Sequence, residues 1–150
     1  MGQALFHLAF PIADVSQAKT FYVEGLGCEV GRENDKAVIL NLYGHQLVAH
    51  VTHEAQPVQA GIYPRHFGLV FSDEADWEAL LARAEARGLE FYQRPKHRFP
   101  GSVLEHRTFF LRDPFANLLE FKYYAHPEAV FGAQAQTAIG DAPEADSAPS

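Results

Sequence analysis

At 150 residues, 47% hydrophobic and 13% aromatic, the chain can bury one substantial core but is short for two independent domains. A formal net charge of −7, with no cluster of Lys and Arg, argues against a nucleic-acid partner, because such affinity rests on basic contacts to phosphate. No apolar run approaches a bilayer span, and the start MGQALFHLAF lacks the basic region and cleavage site of a signal peptide, so a cytoplasmic protein without a membrane partner is expected. The single cysteine, Cys28, excludes an intrachain disulfide and suits a small buried hydrophobe in a reducing compartment.

The segment FHLAFPIADV has an extended-favouring pattern closed by Pro11 and Asp14 and predicts a strand. Ser16 offers an N-cap for a helix with Ala18, Phe21, Tyr22 and Leu26 at helical spacing, ended by Gly25 and Gly27. Strand-like runs follow at CEVGRE, AVILNLYG and HQLVAHV, separated by turn-formers such as Asn34-Asp35 and Tyr43-Gly44. The first sixty residues or so therefore read β-α-β-β-β.

The order then repeats. HFGLVFS predicts a strand, Ser72 or Asp73 a cap, and Trp77, Leu80, Leu81 and Ala84 a helix face ended by Gly88. LEFYQRP, RTFFLRD and ANLLEFKYY give three more strands, with Pro114 and Asn117 marking the last turn. The two halves are self-similar: seven residues separate His7 from Asp14, and seven separate His66 from Asp73. The expected fold is α+β, two βαβββ modules over about residues 4–55 and 64–124 forming a curled mixed sheet around a trough. These make one domain over 1–131. Residues 132–150 are rich in Ala, Gly, Pro and Ser, cannot offset their ordering entropy, and are expected to be a disordered tail.

Alternation along a strand puts His7, Ala9 and Pro11 on the face opposite Phe6, Leu8 and Phe10. It puts His66 opposite Phe67, Leu69 and Phe71, and Glu120 opposite Leu119, Phe121 and Tyr123. Each residue alone is ordinary, since strand histidines and glutamates usually sit on a wet face. Together, at matching places of a repeat, two imidazoles and one carboxylate form a triad suited to Fe(II), Mn(II) or Zn(II), with coordination positions left for substrate. Of the other histidines, His45 and His53 read as strand-end surface residues. The basic loop RPKHRFPGSVLEHR could be a lid offering His97, Arg98 or His106 to an anionic group, or simply a solvated loop.

HLAFPIADVSQAKTFYVEGLG resembles the opening of the glyoxalase, bleomycin-resistance and extradiol-dioxygenase superfamily, the vicinal oxygen chelate proteins. FFLRDPFANLLEFK resembles the closing motif of that family, with Asp113-Pro114, Asn117 and Glu120. The resemblance spans about residues 4 to 124 and implies one divalent metal on His7, His66 and Glu120, Fe(II) foremost, with Mn(II), Zn(II) or Ni(II) as alternatives. Ala116 departs from the pattern, which commonly has Gly in that turn. Some members carry a fourth ligand, a glutamate, on the fourth strand; here His50 is the matching candidate, as ligand, as catalytic acid/base or as a trough-lining residue.

The phrases GHQLVAH and HLAFP look most like small predicted extradiol-type dioxygenases, which implies an oxidoreductase acting on a small molecule with vicinal oxygens. A glyoxalase-like lyase or isomerase, or a fosfomycin-type resistance transferase, is the alternative; the absence of Glu at position 50 weighs against glyoxalase I. A non-catalytic bleomycin-type binding protein is a third reading, opposed by the intact triad. Family members often act as homodimers, with the site built across the two subunits.

Overall fold

Asp14 and Asp73, the two equivalent carboxylates of the repeat, each start a helix in the computed structural model, which describes residues 2–140. Asp14 has an extended backbone and accepts from Gln17 N at 2.8 Å, so it, and not Ser16, is the first cap. Ser16 is already inside the helix, where its backbone carbonyl is committed to the following turn. Asp73 caps the second helix through Ala75 N.

The chain order is β1 (His7–Ile12), α1 (Val15–Lys19), β2 (Glu29–Glu33), β3 (Ala37–Leu42), β4 (His45–Val51), β5 (Phe67–Phe71), α2 (Glu74–Ala86), β6 (Phe91–Arg98), β7 (His106–Arg112) and β8 (Leu118–Tyr124). After Lys19, α1 widens into a π-helical stretch over Thr20–Gly25. Each βαβββ module makes its own four-stranded mixed sheet, ordered β1-β4-β3-β2 and β5-β8-β7-β6. In each, the first strand runs parallel to the fourth and the other pairs are antiparallel. The two sheets are separate, each ending in an edge strand, β1 in one and β5 in the other.

The apolar faces of both sheets, together with both helices, meet in one continuous core. Phe10, Ile12, Val38, Leu40 and Leu47 come from the first module, and Phe71, Phe109, Leu111, Leu119 and Phe121 from the second. Phe10 spans the boundary, its ring 5.3 Å from Tyr22 and 5.2 Å from Phe67. Helix α2 buries Trp77, Leu80 and Ala84. The Trp77 indole donates to Phe121 O at 2.8 Å while the Arg107 guanidinium stacks over it, so truncation to Ala would cost about 3–5 kcal/mol. Cys28 is buried in the same core, where desolvation pushes its thiol up to about 12, out of the range of nucleophilic chemistry.

Two further links join the modules. Arg83 of α2 donates to the carbonyls of Gly25 and Glu24, at the end of the first helix. Asp113, before β8, is a buried hub: it accepts from Phe115 N, Asn117 N, Asn117 Nδ2 and the Tyr22 hydroxyl, and Asn117 Nδ2 also reaches Pro11 O. Ala116 in that turn has φ +67°, the left-handed conformation that a glycine would take more easily.

The expected basic loop is half strand. β6 continues through Arg98 and β7 starts at His106, leaving only a short tip. Pro95 is tolerated because β6 is an edge strand with a register irregularity between Gln93 and Lys96. At the tip, exposed His97 pairs with Glu105 at 2.6 Å. After β8 the chain makes a 3-10 turn (Pro127–Ala129), and residues as far as Gly140 run against the second sheet. The rest of the expected tail, 141–150, lies outside the described residues. Among those described, no helix is long and apolar enough to cross a membrane.

Candidate metal centre

His66 immediately precedes β5, and Glu120 lies on β8, the strand paired with it. The backbone of β8 runs against Gly68 itself: a Cβ there would overlap the carbonyl oxygen of Glu120, its register partner, so only glycine fits. The result is convergence of two donor atoms, His66 Nε2 and Glu120 Oε1, at 3.1 Å.

Each side chain is held from behind. His66 Nδ1 donates to Ile62 O at 2.7 Å, and the ring packs edge-on to Phe110, centroids 5.0 Å apart. Glu120 Oε2 accepts from Thr108 Oγ1 at 2.6 Å, and Lys122 Nζ lies 3.8 Å from Oε1. The hydrogen bond to Glu120 raises the His66 pKa above its ordinary value, against desolvation and with help from the Ile62 carbonyl. Burial pushes the Glu120 carboxyl up, but His66, Lys122 and Thr108 outweigh it and hold the pKa below the usual carboxylate value. Both ring nitrogens of His66 thus face acceptors, Nδ1 the Ile62 carbonyl and Nε2 the Glu120 carboxylate.

This pair fits a divalent ion. Ligand atoms about 2.1 Å from a metal and at right angles to one another are about 3.0 Å apart, and an imidazole whose second nitrogen is pinned to a carbonyl is the usual support for such a ligand. The third expected ligand is not beside them. His7 lies on β1 in the other sheet, exposed and on the polar face as alternation predicted, with Nδ1 2.7 Å from Gln46 Oε1. Among the described residues, no three His, Cys, Asp or Glu side chains cluster closely enough to hold a metal.

His50 is exposed on β4, register partner of Pro11 and Ala37, whereas Gln46 is the partner of His7. Four residues separate the two, about 13 Å along the strand. The position facing the first-strand histidine is therefore Gln46. The two-residue turn Tyr43-Gly44, φ +51° and +89°, fixes Asn41 opposite Gln46 within the β3–β4 hairpin but leaves the register of β4 against β1 open. Thr108 carried no sequence signal of its own. It becomes legible only once β7 is aligned with β8.

A family model described as Glyoxalase/Bleomycin resistance protein/Dioxygenase superfamily matches residues 4–121. The chain belongs to this superfamily. Among solved structures it is similar to a glyoxalase/bleomycin resistance protein/dioxygenase from Alicyclobacillus acidocaldarius, with 42% identity, TM-score 0.79, and coverage of 85% of this chain and 96% of that one. Two more distant solved structures share the fold. The fosfomycin resistance protein FosX from Listeria monocytogenes has 17% identity, TM-score 0.65, and coverage of 86% and 99%. A lactoylglutathione lyase from Agrobacterium tumefaciens has 21% identity, TM-score 0.61, and coverage of 81% and 94%. Curated proteins yield no match to the sequence.

Proposed function

We propose that this protein is a metal-dependent oxidoreductase of the extradiol-dioxygenase kind, acting in the cytoplasm on a small molecule whose two neighbouring oxygens chelate the ion. His7, His66 and Glu120 are its ligands, with Fe(II) the first choice and Mn(II), Zn(II) or Ni(II) the alternatives. The observation that carries this reading is the supported 3.1 Å convergence of His66 Nε2 and Glu120 Oε1. A bound ion supplies Lewis acidity toward the chelated oxygens and coordination positions for substrate and oxygen.

The residues of the chain divide the remaining work. Ile62 orients His66, Thr108 fixes Glu120, and the Phe110 edge keeps one side of the pair dry. Gln46 orients His7. Because His7 and the pair lie on polar faces of different sheets, a second copy is proposed to supply His7, with the free β1 edge of one subunit meeting the free β5 edge of the other. His50, about 13 Å along β4 from Gln46, is assigned to the trough wall and not to proton transfer.

Complementation tests the shared site. His7→Ala and Glu120→Ala homodimers should each lose stoichiometric metal, while co-refolding the two in equal amounts should restore metal at about a quarter of the sites, since half the dimers are mixed and each has one intact site. No recovery sinks the two-subunit site. Metal analysis of anaerobically purified protein, followed by oxygen uptake with a series of catechols, tests the reaction. The lyase or isomerase reading has one observation in its favour, the Gln46 carboxamide beside His7 as a donor on the fourth strand. Full metal with no oxygen uptake but with isomerisation of a thiol adduct would select it, and protein with no metal affinity would select the binding-protein reading.

A further inference from the structure

Beyond the ligand pair, at the far end of β8, lies a cavity of about 340 Å³. Its floor is the outward face of β7 and β8, with His106, Lys122 and Tyr124, and Phe99, Phe131 and Ile139 wall it. Phe131 and Ile139 are 92% and 81% exposed, large apolar side chains held at the rim with their outer faces uncovered. Lys122 connects the cavity to the metal centre: its Nζ is 3.8 Å from Glu120 Oε1 and 5.3 Å from the Tyr124 ring centroid.

His106 defines what the cavity can recognise. Its side chain is buried, and Nδ1 lies 2.8 Å from Leu104 O. A carbonyl only accepts, so Nδ1 carries the hydrogen. Burial first, then the charges of Lys122 and Arg98, hold the ring pKa below its ordinary value and keep it neutral. Nε2, which takes no partner among the described residues, is therefore a lone pair beside an ammonium group. A ligand group placed there must donate to Nε2 and accept from Lys122. A hydroxyl does both. A carboxylate can only accept and would meet a lone pair, whereas an ammonium can only donate and would meet a like charge.

We propose that this cavity is a subsite for a hydroxyl-bearing aromatic or apolar group, the part of the substrate remote from its chelating oxygens, with His106 Nε2 as hydrogen-bond acceptor. Its place in catalysis rests on the metal-centre reading; the binding itself does not. Two residues along β8 separate Glu120 from Lys122, so the hydroxyl would lie about 7 Å from the chelating pair.

The test uses benzyl alcohol, benzoate and benzylamine as probes of the full chain, with and without a chelator. Binding is followed by calorimetry and by the 15N resonance of His106 Nε2. Benzyl alcohol should bind saturably, at least about fivefold more tightly than either charged probe, and should move the Nε2 signal upfield as that atom accepts a hydrogen bond. His106→Phe should erase the preference, and Phe131→Ser should weaken the alcohol. Benzoate binding as tightly as the alcohol, absence of saturable binding, or a preference that survives His106→Phe would overturn the proposal. The nitrogen signal is read on the unaltered chain, so the result does not depend on a variant folding. None of the probes has vicinal oxygens and the chelator removes any metal, so loss of the metal-centre reading leaves this result standing, and the reverse.

Discussion

The Tyr22 hydroxyl, on the first helix, donates to Asp113 Oδ2 at 2.7 Å across the module boundary, with both side chains buried. Burial raises the Asp113 pKa, and this donation is one of the hydrogen bonds that oppose the rise. Tyr22→Phe should cost roughly 1.5–3 kcal/mol near neutral pH, the scale of a hydrogen bond to a charged group. Without the donor the folded pKa rises further, so the deficit grows as pH climbs through the folded value. It shrinks towards about 1 kcal/mol, the loss of a neutral bond, as pH falls below the ordinary aspartate value of about 3.8, where the carboxyl is protonated both folded and unfolded. Urea denaturation of both proteins at acid and neutral pH measures this; a deficit that grows in acid contradicts it.

Gly68→Ala should be among the most damaging single changes, because the added methyl overlaps the carbonyl oxygen of Glu120 in the paired strand. Separation of β5 from β8 is expected to cost roughly 2–4 kcal/mol and to pull His66 away from Glu120. Denaturation midpoints and metal content should fall together. Parent-like stability would show that the strands can part without loss.

His50→Gln should leave metal content and melting temperature at parent values, since His50 is exposed and four residues removed from the position opposite His7. A fall in turnover of about 100-fold at full metal occupancy would return His50 to proton transfer.

Ala116→Gly should stabilise the protein by about 0.5–1 kcal/mol, relieving a left-handed alanine at φ +67°. No gain in the denaturation midpoint would mean that the glycine's greater freedom in the unfolded chain offsets the relief.

All eight strands and both helices were legible in the sequence, because period-2 alternation and helical spacing report which face is buried. His7, His66 and Glu120 accordingly occupy polar faces. What one chain brings together was not legible, since alternation gives a face but not a neighbour. The pairing of Gln46 with His7 depends on the register between β1 and β4, where a shift of four residues retains the same face. The caps illustrate the same limit at short range: Asp14 and Ser16 are both good capping residues, and only the backbone path selects Asp14.

Arg83 completes the first helix from the second module, its guanidinium donating to the carbonyls of Glu24 and Gly25 where backbone donors run out. Neither half is therefore a self-sufficient folding unit, although each is a complete repeat. The first half, alone, would leave those carbonyls without this donor and expose Phe10 and Tyr22. An ancestral single module would have needed a second copy of itself as its complement, and the present chain should melt in one cooperative transition, not two.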